Sequence, residues 1–98
     1  MIIVSGTATM KPGAFKSLHD AMEKMIAASR AEPGCIIYHY GIDTLDPDQV
    51  VVVEYWESWA ALEAHFKTAH MAVWRKALEG NILSFDVKAC EVGEMKEI

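Results

Sequence analysis

The chain has 98 residues, 52% hydrophobic and 23% charged, with a net charge of −5. That length suits one core and is too short for two, which rarely close below about 50 residues each, and the apolar content excludes a disordered chain. The cations are scattered among a larger number of Asp and Glu residues, which excludes a phosphate backbone as a natural partner.

The longest apolar runs, such as Val50 to Val53, fall far short of the roughly 20 residues that cross a bilayer. Met1-Ile2-Ile3-Val4 carries no basic region and no cleavage site follows a long apolar stretch, so a cytoplasmic protein without a secretory signal is expected. Cys35 and Cys90 sit in apolar segments without zinc-site spacing and read as buried, reduced thiols.

Ile2 to Met10 is β-branched and ends at Lys11-Pro12-Gly13, a strand followed by a turn. From Ala14 to Ala31 the large apolar residues Phe15, Leu18, Met22, Met25 and Ile26 make one helical stripe, stopped at Glu32-Pro33-Gly34. Cys35 to Ile42 and Gln49 to Glu57 read as an antiparallel hairpin around a turn at Asp43 to Asp48. Ser58 and Thr68 are N-cap candidates for two short helices or one broken helix, ended by Gly80-Asn81. Ile82 to Val92 returns to strand character with Phe85, Val87 and Ala89 on one side, and 93–98 is expected to be a loose or partner-contacting tail of a single 1–98 domain.

This order, βαββαβ, predicts an α+β ferredoxin-like fold: a four-stranded antiparallel sheet with its helices on one face. Val50, Val51, Val52 and Val53 run without a polar break, so both sheet faces read as covered. Helices cover one, and a second copy, sheet against sheet, is expected over the other, giving a homodimer.

Glu32-Pro33-Gly34-Cys35 leading to Tyr38, then Val53-Glu54-Tyr55-Trp56-Glu57-Ser58, Leu62-Glu63-Ala64-His65 and Thr68-Ala69-His70-Met71 together resemble the antibiotic biosynthesis monooxygenase (ABM) family, in its quinol monooxygenase branch. The resemblance implies a dimeric α+β barrel and oxygenation of quinol or phenolic polycyclic substrates without metal or flavin. Ala69 departs from the pattern, standing where many relatives have proline. In the heme-degrading branch Trp56 matches the functional tryptophan, but Gly6 and Arg75 stand where an Asn and a heme-binding His belong, so heme ligation is not expected. The family also includes an isomerase, so the fold alone does not fix the reaction.

Oxygenation of a phenolic ring by O₂ needs an apolar pocket, a base for the hydroxyl and a donor for the developing negative charge. Glu54 and Trp56 share strand parity with Val50 and Val52; if that face is the helix side, Glu54 either handles protons or is tied to Arg75, Lys24 or backbone amides. Trp56 is either pocket lining or core. His65 and His70 are the candidate bases; being five apart they differ by roughly 140° on one helix, and a break near Thr68 would bring both to one pocket. Tyr38 and Tyr40, pointing with Ile36 and Ile42, either donate to an oxyanion or pack. Phe66 and Trp74 are candidate pocket walls, whereas His39 shares parity with Cys35 and Ile37 toward the dimer side. The expected substrate is a small aromatic, with no cofactor, metal, nucleic acid or membrane partner. The alternatives are an isomerase of a small oxygenated metabolite and a non-catalytic ligand-binding dimer.

Overall fold

The computed structural model describes residues Met1–Ile98. Its elements are β1 (Ile2–Met10), α1 (Ala14–Arg30), β2 (Cys35–Asp43), β3 (Asp46–Trp56), α2 (Trp59–Phe66), α3 (Ala69–Leu78) and β4 (Ile82–Glu91). The strands form one antiparallel sheet in the order β2-β3-β1-β4, the ferredoxin-like arrangement that the element order predicts. No helix is long and apolar enough to cross a membrane.

Local chemistry accounts for the element ends. The Ser58 hydroxyl accepts from the Ala61 amide at 3.1 Å, and that of Thr68 accepts from the Met71 amide at 3.3 Å, so the helical stretch divides into α2 and α3. On α1 the fully buried line is Ala14, Leu18, Met22, Met25 and Ser29, with Phe15 and Ile26 at its margins. It packs on a sheet face built from Ile2, Val4, Ala8 and Met10 of β1 and Val50, Val52 and Trp56 of β3.

Three local readings are corrected. The hairpin turn is only Thr44-Leu45, because the Asp43 and Asp46 carboxylates accept from the amides of Leu45 and Asp48 and let the strands pair as far as Asp43 and Asp46. The register slips between Cys35 and Ile37, leaving Ile36 unpaired. Cys35 therefore lies opposite Trp56 and packs against the helix-side core, while Ile36 turns outward and does not point with Tyr38. Cys90 is exposed rather than buried, because it stands opposite Ile3 on the sheet face that no helix crosses.

The helices lie mainly over β2 and β3. Consequently Phe85, Val87 and Ala89 share a face, opposite Ala8, Gly6 and Val4, yet Phe85 stays largely exposed. The other sheet face carries Ile37, Val51, Val53 and Tyr55 with no helix across it. Residues 93–98 are exposed and form no helix or strand.

At Gly6, β4 leaves no room for a side chain. Its φ is 152°, and a Cβ there would lie 2.0 Å from the Asp86 carbonyl oxygen and 2.6 Å from Val87 Cα. Gly6→Ala is expected to force β4 away from β1 at a cost of about 2 kcal/mol, lowering the melting temperature by roughly 10 °C. An unchanged thermal melt would contradict the close approach.

Candidate functional site

Strand alternation places Glu54 and Trp56 on the helix side of β3, where both are buried. The Trp56 indole donates from Nε1 to Glu54 Oε1 at 2.9 Å. None of the three expected ties of Glu54 forms: the Arg75 guanidinium donates to the Phe66 carbonyl at 3.0 Å, Lys24 lies exposed on α1, and the donor to the carboxylate is the Trp56 indole, not a backbone amide.

On α2, Leu62 and His65 face the sheet, and His65 is only 1% exposed. Its ring lies 4.6 Å from that of Trp56, centroid to centroid, and its Nε2 is 3.4 Å from the Tyr38 hydroxyl. The Tyr38 hydroxyl is in turn 3.2 Å from that of Tyr40, the two rings stacked at 5.4 Å. His65 Nδ1 is 2.6 Å from Glu32 Oε2, and His70 Nε2 is 2.8 Å from the same oxygen. The break at Thr68, whose hydroxyl donates to the His65 carbonyl at 2.8 Å, brings both imidazoles onto one carboxylate, ring centroids 6.1 Å apart.

Glu32 was not expected at the site: along the chain Glu32-Pro33-Gly34 reads as a helix stop and as part of the family resemblance, with no role for the carboxylate. The usable signal was an acidic residue held in a rigid Pro-Gly turn while two histidines downstream lacked a partner.

A cavity of about 160 Å³ opens beside this cluster. Tyr38, Tyr40, Glu54 and His65 form its polar side, and Val52, Phe66, Met71 and Phe85 are among its apolar walls. Three expected pocket residues do not border it. Trp56, fully buried, stands behind Glu54 and His65; Trp74 packs in a separate gap with Tyr40 and Val50; His70 reaches the cluster through Glu32. The break at Thr68 thus joins the histidines through a carboxylate, not in a shared pocket, because α3 reaches the cavity through Met71 and not through His70. A larger groove of about 400 Å³ runs between α1 and β2, but its charged lining, His19, Glu23 and Arg30, is exposed.

Glu32, His65 and His70 offer three donor atoms within 4.8 Å of one another. The separations of 2.6 and 2.8 Å from Glu32 Oε2 are hydrogen-bond lengths. A tetrahedral ion with bonds near 2.1 Å would hold its donors about 3.4 Å apart, so the arrangement fits shared protons better than a metal.

Residues 1–77 match the family described as antibiotic biosynthesis monooxygenase. The chain belongs to the ABM family. It is 29% identical over 103 residues to YgiN of Escherichia coli K12, a probable quinol monooxygenase, covering 95% of this chain and 99% of that relative. The solved structure of PA3566 from Pseudomonas aeruginosa superposes with a TM-score of 0.81 at 28% identity, covering 97% of this chain and 94% of PA3566. A Deinococcus radiodurans protein, 24% identical, shares the fold with a TM-score of 0.90 over 100% of this chain and 98% of its own.

In this ABM-family protein, burial sets the electrostatics of the site. It pushes the Glu54 carboxyl up to about 7, against the lowering effect of the Trp56 hydrogen bond and together with the nearby Glu32 charge. It lowers His65 below the usual imidazole range, with Glu32 acting in the opposite sense. The Tyr38 hydroxyl is driven well above the ordinary phenol range by the same desolvation, and that of Tyr40 to about 12.

Because Glu54 moves from 4.5 to about 7 on folding, the folded chain holds a proton that the unfolded chain releases, so this group's contribution to stability falls as pH rises between those values. The loss amounts to about 3 kcal/mol. His65 titrates with the opposite sign over an overlapping range, so the readout is the difference between wild type and Glu54→Gln. Relative to wild type, the variant is expected to gain stability in urea denaturation from pH 5 to pH 8; parallel curves would refute the burial cost.

Proposed function

We propose that this protein is a monooxygenase that uses O₂ to oxidise a neutral quinol or related phenolic ring without metal or flavin, the substrate supplying the electrons. The observation that carries the reading is His65, whose Nε2 lies at the polar edge of an apolar cavity while Nδ1 is held by a carboxylate.

A phenol is a poor one-electron donor and a phenolate a much better one. His65 takes the phenolic proton at Nε2. The phenolate passes one electron to O₂, the radical pair combines at a ring carbon bearing hydrogen, and loss of water from the resulting hydroperoxide leaves a carbonyl. One oxygen atom enters the product and the other leaves as water. The Tyr38 and Tyr40 hydroxyls donate to the developing oxyanion, and Glu54, poised near neutrality, handles the second proton. Phe66 and Phe85 hold the ring at the cavity mouth; Trp56 acts from behind by fixing Glu54 and supporting His65.

The lining also speaks against a phosphorylated substrate. Its only cation is Lys88, already paired with Asp86. The open sheet face with Val51, Val53 and Tyr55 is assigned to a second copy, which light scattering would register as twice the protomer mass; a folded monomer at micromolar concentration would overturn that assignment.

The test is oxygen consumption by metal-depleted protein over a panel of hydroquinones and naphthoquinols. Saturable uptake above autoxidation supports the reading. Equal turnover under argon transfers the protein to isomerisation, and saturable binding with no turnover makes it a sequestering protein.

A further inference from the structure

We infer that Glu32 is a positioning residue: its carboxylate keeps the His65 proton on Nδ1, so that Nε2 presents a free lone pair to the cavity. An ionised carboxylate only accepts hydrogen bonds, so a nitrogen 2.6 Å from Glu32 Oε2 must carry the hydrogen. A neutral imidazole has one N–H, and Nε2 is thereby left as the acceptor, facing the Tyr38 hydroxyl at 3.4 Å or a substrate hydroxyl in its place. The inference concerns His65 itself, and its bearing on catalysis rests on the oxygenation reading above.

The geometry of Glu32 is over-determined. Its amide donates to the Ser29 carbonyl at 3.1 Å and its carbonyl accepts from the Cys35 amide at 3.2 Å. Gly34, with φ of 84°, closes the turn so tightly on α2 that a Cβ there would lie 2.6 Å from Ala61 Cβ. From the solvent side His70 Nε2 donates to the same oxygen, which a second donor pins without occupying the cavity. When His65 accepts a proton at Nε2, the imidazolium forms against this carboxylate, offsetting the desolvation that opposes it. The ionisable groups around the ring are Glu32 from the α1–β2 turn, Tyr38 from β2, Glu54 from β3, and His70 and Arg75 from α3. Of the two carboxylates, only Glu32 bonds the ring directly.

Two measurements separate this from a merely structural role. Nitrogen-15 spectra of the histidine side chains should show wild-type His65 as the Nδ1–H tautomer, with Glu32→Ala losing that preference. Glu32→Gln, which keeps an acceptor but removes the charge, is expected to lower kcat at least 100-fold with KM changed less than threefold. The acid limb of its kcat/KM profile should move to lower pH, while Glu32→Asp recovers part of the rate. A wild-type Nε2–H tautomer, or a Glu32→Gln profile superposing on wild type, would overturn the inference. If Glu32→Ala does not fold, the wild-type spectrum and Glu32→Gln still decide. If the tautomer behaves as stated and no quinol is oxidised by wild type, the role of Glu32 stands and the oxygenation reading falls.

Discussion

His65→Gln is expected to reduce quinol-dependent oxygen consumption by about 10²- to 10⁴-fold, the usual contribution of a positioned general base. Glutamine is the informative replacement. The His65 ring is 1% exposed and wedged between Trp56 and Tyr38, so alanine would also open a void and confuse lost chemistry with lost packing. Glutamine keeps most of the volume and can still donate toward Glu32, but its amide cannot take a proton near neutral pH. His70→Ala provides the contrast. His70 does not border the cavity and is a quarter exposed, so its removal frees one donor from Glu32 and is expected to slow turnover less than tenfold. Full activity in His65→Gln, or a larger loss in His70→Ala, would move the base away from His65.

The largest stability effect is expected at Trp56. Truncation to alanine empties the space of a side chain that is 0% exposed and costs about 3–5 kcal/mol. It also deprives buried Glu54 Oε1 of its donor, adding about 1–3 kcal/mol. Against a total stability of about 5–15 kcal/mol for a domain, Trp56→Ala is expected to be largely unfolded at 37 °C. Trp56→Phe separates the contributions, because it keeps the aromatic bulk and removes only the N–H. In urea denaturation, combining it with Glu54→Leu should cost less than the sum of the two single changes, since the orphaned carboxylate disappears with its partner. Strict additivity would show that the Trp56–Glu54 hydrogen bond carries no energy.

Much of this architecture is legible along the chain because its causes are local. A Ser or Thr hydroxyl three residues before an amide caps a helix wherever the chain goes, and Ser58 and Thr68 do so here. Alternation in β3 likewise decides that Glu54 and Trp56 share the face of Val50 and Val52. The bulge at Ile36 was not legible, because a strand's periodicity holds only until its partner's register slips, and that slip turns Cys35 toward the core. Nor were the outcomes for Trp74 and His70, since a helical stripe says which side chains face inward but not whether they meet a cavity or close packing.

By itself the sequence determined the order of strands and helices, the helix break at Thr68 and the common face of Glu54, Trp56, Val50 and Val52, though not which side of the sheet that face takes. Tertiary structure alone decided that Glu32, 33 residues from His65 and 38 from His70, becomes the acceptor for both. The reason is physical: capping and alternation act within a few residues, whereas that convergence depends on a Pro-Gly turn docking against α2 and on the angle at which two short helices leave Thr68.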